Sequence, residues 1–442
     1  MILTILGIIL LVIVVISFIN IRVGTALYLA YSILVPISDV TIGTNLHIGE
    51  NIIRSILILA LLFDFKVKNH YKLRWKLVLP FILYYVIEIV IIPFQYETPV
   101  SWMFTSWRQS LMNTLFGTFV IYNVMIMYPK SIKLFRNSFI VSIVAAALYG
   151  LFLTSMDGLN PYILSIVSLK GDEEDVDYLM KYFSTDDRLF GRISSVFRHP
   201  MTFGLFLGLA FIYIFSIRNK INKLPMALVL VLLSIDALFC GVRSCIGGLV
   251  IAVAFYLLFS RNIKVGLITL VVGLIAYNLI LQMPELSDYV GTIVDVNNSQ
   301  NRITGSSFEM RLSQLNGCFT EIQNDPILGK GFGWHKYYQD TYGNHPTIYA
   351  FESLIFVVLC DSGILGIIIW IGLIILVIRN NHKLKLNDPI VSDALLVYYI
   401  AYSCITGEYG YMQYYLLFYI CLVAENRITN NNNNKVATLN HV

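Results

Sequence analysis

"LIFVVLCDSGILGIIIWIGLIILVIRNNHKLK", residues 354–385, joins a long apolar run to a short basic one. A helix over 353–378 is predicted here, and it is long enough to cross a hydrocarbon core of about 30 Å. Comparable apolar runs recur along nearly the whole chain. Charged residues make up 13% of the sequence, whereas an ordinary soluble domain has about 25%, and the mean hydropathy is +0.71. The chain is therefore predicted to be an all-α, polytopic transmembrane helical bundle.

The other apolar runs predict the remaining spanning helices, for about 12–13 crossings in total. They are 2–19, 23–37, 52–65, 77–93, 107–128, 138–156, 201–217, 224–240, 246–260, 263–283 and 394–424. The last run is interrupted at "TGEYG", residues 406–410, which indicates two short helices or one helix with an unwound middle. No cleavable signal peptide is predicted, because no basic residue precedes the first run and no small-residue cleavage site follows it.

Lysine and arginine collect in alternate loops, as they do in the short cytoplasmic loops of membrane proteins. The basic loops are 66–76, 129–136, 218–223, 260–264 and 379–385. The N-terminus and the other loops are then expected to face outward, and these loops are 38–51, 94–106, 157–200, 241–245 and 284–352. The net charge of +4 is explained by the basic loops, and no nucleic-acid partner is expected.

Two of the outward loops are long, and long loops in a compact bundle are usually functional or disordered. Both loops mix aromatic and aliphatic residues with basic ones. The loop 157–200 ends in Arg188, Arg192, Arg198 and His199, and the loop 284–352 contains Arg302, Arg311, Lys330, His335, Lys336 and His345. A substrate that is anionic at one end and sugar-like at the other would suit both loops.

The predicted organisation has transmembrane helices in three blocks, separated by the two long loops. The blocks are 1–156, 201–283 and 353–424, and the loops are 157–200 and 284–352, of which the second is expected to be catalytic. An asparagine-rich tail, 425–442, is of low complexity and is predicted to be disordered.

Four segments in the outward loops carry a resemblance to a known family. They are "GRISSVFRHPMTFG" (191–204), "GVRSCIGG" (241–248), "RLSQLNGCFTEIQNDPILGKGFGWHKY" (311–337) and "NHPTIYAFESLIFVVLCDSGILG" (344–366). Their order, on one predicted membrane face, resembles the O-antigen ligase and polymerase superfamily, whose members join lipid-linked surface glycans. Two positions depart from the family pattern: Pro346 stands where asparagine is common, and Arg243-Ser244 reverses a common Ser-Arg order.

The resemblance implies a GT-C-like glycosyltransferase of the bacterial cytoplasmic (inner) membrane, with its active site on the extracytoplasmic face. The donor would be an oligosaccharide on a polyprenyl diphosphate, and the acceptor a sugar hydroxyl of a second lipid-linked glycan. Membrane lipid, a chain-length regulator and a flippase of the same pathway are the expected partners. No metal and no cofactor are expected, because fixed arginines can neutralise a departing diphosphate, and the transfer is expected to invert the anomeric centre.

On this interpretation, the residues expected to bind the diphosphate and the substrate are Arg192, Arg198, His199, Arg243, Arg311 and Glu352. The general base is expected at His345, because a neutral imidazole accepts a proton near pH 7. Glu352 could orient His345, or it could only complement the N-terminus of the following helix. Each arginine has an ordinary alternative role as a contact to lipid headgroups, and His345 has one as a solvated loop residue.

Several alternatives stay open in the sequence. A ligase would transfer the glycan to lipid A-core, and a transporter would move lipid-linked glycans without chemistry. A transporter predicts ionisable residues inside the helices, but Glu88 and Asp236 are the only obvious carboxylates in the apolar runs, and the basic and His residues concentrate in the outer loops, so an enzyme is favoured. Between the two enzymes a polymerase is favoured, because nothing in the sequence marks a lipid A-core acceptor. The segment "GKGFG", 329–333, predicts either an anion-binding nest or a tight turn. The Asp175-x-Asp177 spacing fits a metal site, but an outward loop favours a solvated acidic face.

Overall fold

The computed structural model describes residues 2–35, 44–67, 73–156, 158–167, 192–260, 308–384, 386 and 388–439. The predicted helix 263–283, the Asp175-x-Asp177 pair and the basic residues Arg188 and Arg302 lie outside this part of the chain. Within it, the named secondary-structure elements are all helices. The predicted all-α, polytopic class is confirmed.

The helices are numbered here in chain order. The N-terminal half contains α1 (Ile2–Ile19), α2 (Ile21–Leu34), α3 (Thr44–Val67), α4 (Leu79–Ile91), α5 (Val100–Leu111), α6 (Gly117–Met127), α7 (Ile132–Thr154) and α8 (Pro161–Val167). The rest of the described chain adds α9 (Pro200–Ser216), α10 (Lys223–Phe239), α11 (Arg243–Ser260), α12 (Phe308–Glu321), α13 (Trp334–Tyr342), α14 (Leu354–Lys383), α15 (Pro389–Ile405) and α16 (Tyr411–Leu439). A π-helical turn, Met112–Phe116, joins α5 to α6.

Four helical stretches of the described chain are long and apolar enough to cross a membrane. They are Val100–Met127, Pro129–Thr154, Arg243–Ser260 and Leu354–Lys383. Shorter apolar helices accompany them, and these are Ile5–Ile19, Ile21–Leu34, Leu79–Phe94, Pro200–Ser216 and Pro389–Ile405. The chain is an integral membrane protein, while the number of crossings stays a prediction.

Several helices begin well before the apolar runs that predicted them, and α5 and α7 illustrate the reason. The helix predicted from residue 107 begins at Val100, where Met103 is fully buried. The helix predicted from residue 138 begins at Ile132, and Phe135 in its first turns is also fully buried. Hydropathy misses both starts because single buried side chains among polar neighbours hold them in place.

Helix α15 packs in the core between α9 and α11. Tyr398, at 0% exposure, donates a hydrogen bond to the carbonyl of Gly204 at 2.8 Å. A Cβ at Gly208 would lie 2.0 Å from the Tyr398 ring, so a glycine there lets the two helices approach this closely.

Helix α16 continues to Leu439, whereas the sequence places a disordered tail from residue 425. Polar contacts hold the first residues past the apolar run. Glu425 is 2% exposed, and its carboxylate lies 3.0 Å from Lys220 Nζ. Arg427 donates to the hydroxyl of Tyr122 at 3.2 Å. The packed part of the helix therefore extends beyond the end of the apolar run.

Candidate functional site

The interruption at residues 406–410 is a turn between α15 and α16, and α14 begins against it. The N–H of Gly407 donates to the carbonyl of Glu352 at 2.8 Å. The Ser353 hydroxyl donates to the carbonyl of Cys404 at 2.7 Å, and the same hydroxyl caps α14. Ser353 therefore fixes both the start of α14 and its place beside the turn.

The start of α13 lies against the other side of this turn. The rings of Phe332 and Tyr409 stack with their centroids 4.9 Å apart, and the His335 ring lies 5.9 Å from the Tyr409 ring. Lys336 Nζ lies 3.9 Å from the carboxylate of Glu408. The turn thus contacts two of the four segments that carry the family resemblance.

Tyr402, in the last turn of α15, contacts the other two segments, 191–204 and 241–248. Its hydroxyl donates to the carbonyl of Met201, at the start of α9. A Cβ added at Gly204 would lie 3.1 Å from the Tyr402 hydroxyl and 3.3 Å from Cys245 Cβ. All four segments therefore lie around the end of α15 and the turn that follows it. We call this assembly the motif cluster: residues 192–204, 241–248, 311–337, 344–366 and the turn 406–410.

Arg311 and Glu352 form an ion pair in the motif cluster. Arg311 Nη2 lies 3.0 Å from Glu352 Oε2, and the two side chains are 23% and 27% exposed. Burial lowers the pKa of Arg311, and the charge of Glu352 offsets part of this effect. Nη1 of Arg311 is buried and has no hydrogen-bond partner among the described residues. The pair therefore places an accessible carboxylate next to an unsatisfied guanidinium N–H.

His345 is buried, with 3% of its surface exposed, and both of its ring nitrogens have partners. Nδ1 accepts hydrogen bonds from the N–H groups of Thr347 at 3.2 Å and Ile348 at 3.1 Å, so the ring proton of the neutral form lies on Nε2. Nε2 lies 3.1 Å from Glu321 Oε1. The carboxylate that orients His345 is therefore Glu321 and not Glu352.

A second histidine, His335, is oriented by Asp361 in α14. His335 Nδ1 lies 2.8 Å from Asp361 Oδ2, and the same carboxylate accepts the N–H groups of Gly333 and His335 at 2.8 and 3.0 Å. His335 is 4% exposed, and its Nε2 has no hydrogen-bond partner among the described residues. Asp361 thereby holds the N-terminus of α13 and the imidazole ring together.

The loop before α13 is docked on a kink in α14. Gly363 has φ 63° and ψ −157°, which interrupts the helical hydrogen bonds at this point. The N–H groups of Ile364 and Leu365 donate instead to the carbonyls of Pro326 and Ile327, at 2.9 and 3.1 Å. The kink is therefore the attachment point of the loop.

The glycine-rich segment 329–333 lies within this docked loop. Its N–H groups all donate within the protein, to Asp325 O, Cys360 O, Asp361 O, Gln95 Oε1 and Asp361 Oδ2 in chain order. An anion-binding nest needs N–H groups that are free to point at the anion. The segment is therefore a tight turn.

Lys330 links this loop to the carboxylate beside His345. Its Nζ lies 2.7 Å from Glu97 and 3.1 Å from Glu321. Burial lowers the pKa of Lys330, but the hydrogen bonds to the two carboxylates outweigh it, and the net shift is upward. Lys330 is thus a charged link within the protein.

The remaining predicted basic residues lie in the segment that precedes α9 and at the start of α11, and all are half-buried: Arg192, Arg198, His199 and Arg243. Arg243 is the first residue of α11, although the sequence placed it in the preceding turn. Burial, with smaller contributions from Arg198 and Arg192, lowers the pKa of His199 to about 4. His199 is therefore neutral at pH 7.

Residues 228–371 match the family model described as O-antigen ligase. Over these residues the chain is similar to the O-antigen ligase family. This confirms the predicted resemblance, and the members of this family are glycosyltransferase-like enzymes of surface polysaccharide synthesis. No curated protein matches the chain. The matched residues include the Arg311–Glu352 pair and His345, and the match ends before the turn 406–410.

Sequence reasoning missed two carboxylates within the matched residues 228–371, Glu321 and Asp361. Glu321 is the last residue of α12, the helix that also carries Arg311. Its place on the same helix as a predicted site residue could have identified it. Asp361 is the lone charge in the apolar run 354–378, and a charge at such a position indicates a functional or structural site. Among the described residues, no group of three or more His, Cys, Asp and Glu is placed to hold a metal ion.

Proposed function

We propose that this protein is a repeat-unit polymerase of bacterial surface polysaccharide synthesis. It would transfer a glycan from a polyprenyl diphosphate carrier to a sugar hydroxyl of a second lipid-linked repeat unit. The observation that carries the proposal is the Arg311–Glu352 pair, which sits in the motif cluster, within the residues that match the O-antigen ligase family. It supplies, side by side, the cation and the carboxylate that such a transfer needs.

We assign the binding of the departing diphosphate to the arginines. Arg311 Nη1 is buried without a hydrogen-bond partner among the described residues, and a phosphate oxygen would satisfy it while leaving the bond to Glu352 in place. A guanidinium binds phosphate through two parallel N–H groups. The proposed basic lining is completed by Arg192 and Arg198, in the segment before α9, and by Arg243, at the start of α11, with His199 as a neutral donor.

The base is assigned to Glu352. Its carboxylate is 27% exposed and lies at the start of α14, so an acceptor hydroxyl can reach it. The hydroxyl oxygen attacks the anomeric carbon, its proton passes to Glu352, and the bond to the diphosphate breaks with the electron pair on the leaving group. A single displacement of this kind inverts the anomeric centre and needs no metal.

His345, the base expected from the sequence, is a weaker candidate in this geometry. Its Nδ1 lone pair is taken by two backbone N–H groups, and its Nε2 proton is directed at Glu321. To act as a base, the ring would have to break one of these contacts while buried. We therefore propose that His345 positions the loop that carries Glu352.

The proposed reaction takes place at the extracytoplasmic face of the cytoplasmic membrane. The positive loops of the sequence support this orientation, because the motif cluster lies at the opposite helix ends from them. A flippase that delivers the repeat unit and a regulator of chain length are the proposed protein partners.

Deletion of the gene in its host, followed by analysis of glycan chain length, tests the proposal. A polymerase predicts single repeat units at the surface after deletion. Long chains that remain on the carrier lipid would indicate a ligase. Repeat units that accumulate on the cytoplasmic side would indicate a transporter, which is the alternative from a different class of protein.

A further inference from the structure

The stretch from the end of α4 to the first turn of α5 contacts the docked loop through four side chains. We call them the docking residues: Gln95, Glu97, Thr98 and Trp102. The Thr98 hydroxyl donates to the carbonyl of Lys330 at 2.9 Å, and the Trp102 indole N–H donates to the carbonyl of Gly333 at 3.2 Å. The Glu97 carboxylate pairs with Lys330 Nζ. All four docking residues lie outside the matched residues 228–371, so the N-terminal half of the chain also supports the motif cluster.

Gln95 joins the docked loop to the kink in α14. It is 3% exposed, and both ends of its side-chain amide have partners. Nε2 donates to the carbonyls of Leu328 at 2.6 Å and Asp361 at 3.0 Å. Oε1 accepts the N–H of Phe332 at 3.3 Å. One buried side chain therefore fixes two points of the loop and one point of α14.

Glu88, near the end of α4, contacts the kink itself. The hydroxyl of Ser362, the residue before Gly363, donates to Glu88 Oε2 at 3.0 Å. Glu88 is 1% exposed and lies in the run 77–93 that is predicted to span the membrane. An ionisable residue in such a run usually has a function or a partner. Here the partner is the kink, so this carboxylate does not require a transport pathway.

Two glycines of the docked loop lie directly against α5 and the docking residues. A Cβ at Gly331 would lie 2.7 Å from Met103 Sδ and 2.8 Å from Thr98, and a Cβ at Gly333 would lie 2.8 Å from Ser106. Both glycines also have a positive φ, of 125° and 80°. The glycine-rich sequence therefore lets the loop backbone approach α5 this closely.

The docked loop is connected in turn to the segment that carries Glu352. Lys330 Nζ pairs with Glu321, and the other oxygen of Glu321 lies 3.1 Å from His345 Nε2. His345 and Tyr349 exchange two backbone hydrogen bonds, at 3.1 and 2.9 Å, which close the turn 345–349 just before Glu352. A displacement of the docked loop would therefore be transmitted to this turn.

We propose that Gln95 and Thr98 are positioning residues for the proposed reaction, which act through the docked loop on the segment that carries Glu352. Both are buried, at 3% and 2% exposure, so their effect passes through the loop. Their role in a reaction rests on the proposed function. The coupling between the docked loop and the turn 345–349 does not.

Hydrogen–deuterium exchange of the purified full-length protein in detergent tests the coupling. Gln95→Met keeps the length of the side chain but removes its three hydrogen bonds. We expect the N–H groups of the docked loop and of the turn 345–349 to exchange about tenfold faster or more, because buried partners are left unpaired. Gln109→Met, at an exposed glutamine of α5, is the matched control and should leave this exchange unchanged.

The Thr98 variants separate the hydrogen bond from the shape of the side chain, and they decide the matter if Gln95→Met fails to fold. Thr98→Val removes the hydroxyl with little change in volume and should speed exchange in both segments. Thr98→Ser retains the hydroxyl and should restore the protection of the wild type. Faster exchange in the docked loop alone, with the turn 345–349 unaffected, would overturn the coupling.

A polymerisation assay with the same variants tests the role in the reaction. Gln95→Met and Thr98→Val should lower kcat about tenfold or more and change KM less, because a displaced base slows the chemical step. Thr98→Ser should retain the rate of the wild type. A normal kcat despite faster exchange in the turn would overturn the positioning role. Because exchange is recorded without substrate, a wild type that forms no polymer would contradict the proposed function and leave the coupling result intact.

Discussion

At the residue scale, the proposed reaction depends on which side chain accepts the proton of the acceptor hydroxyl, and we assign this role to Glu352. Glu352→Gln keeps the shape and one hydrogen-bond acceptor for Arg311, but removes the basic oxygen. We expect the rate of polymer formation by purified protein to fall about 10²- to 10⁴-fold, the usual contribution of a general base. Glu309→Gln, an exposed carboxylate of α12, is the control and should change little. A Glu352→Gln enzyme with near-normal rate would remove Glu352 from the mechanism.

His345→Ala distinguishes a positioning residue from a base. The substitution leaves the N–H groups of Thr347 and Ile348 and the carboxylate of Glu321 without their ring partner. Buried groups left unpaired cost about 1–3 kcal/mol each, so we expect the Tm to fall together with the rate. A large loss of rate at unchanged Tm would identify His345 as the base after all.

His199 gives the molecule a pH dependence of known sign. Its pKa in the folded protein is lowered to about 4 from an ordinary value of 6.5. As the pH falls from 6.5 towards 4, the unfolded chain gains a proton that the folded protein does not, so stability is lost across this window. We expect the Tm of the His199→Gln variant to fall less than the Tm of the wild type between pH 7.5 and pH 5. Equal losses in the two proteins would contradict this.

At the scale of single elements, the kink in α14 depends on one glycine. Gly363 has a positive φ with an extended ψ, and a Cβ there would lie 2.4 Å from the carbonyl oxygen of Ile327. Gly363→Ala should therefore lower the Tm strongly and release the docked loop. The backbone strain alone would lower the free energy of unfolding by about 1–3 kcal/mol. Gly372→Ala in the same helix, where nothing lies within 4 Å, should be neutral or stabilising. Equal Tm values for the two variants would show that the kink is not required.

The positions of many of the helices could be predicted from the sequence. Apolar runs predicted α9 and α10 to within one residue, and the interruption at 406–410 separated α15 from α16 correctly. Helices α12 and α13 were missed, because they are polar elements of a loop and carry no long apolar run. The site was only partly readable. Arg311 and Glu352 were named from their motifs, but their pairing depends on how α12 packs against the start of α14, which sequence spacing does not encode.

At the scale of the whole molecule, the prediction concerns orientation. Asn222 and Asn344 are both exposed, and α10 separates Asn222 from the motif cluster. Asn344→Cys should react with an impermeant thiol reagent in intact cells, and Asn222→Cys should react only after the cells are permeabilised. The native background should be low, because the cysteines are buried apart from the half-buried Cys404. The opposite labelling pattern would show that the helical bundle has the opposite orientation in the membrane.

The turn 406–410 has a consequence for how this chain can vary in length. Each segment of the motif cluster reaches the end of α15 or the turn from a different part of the sequence, so the connections between segments can change length while their meeting point stays fixed. One residue inserted into the turn, by contrast, should displace the start of α16 relative to α15 and withdraw the N–H of Gly407 from the carbonyl of Glu352. Insertions and deletions should therefore accumulate between the segments and be excluded from these five positions, which makes the turn a fixed reference point for the motif cluster.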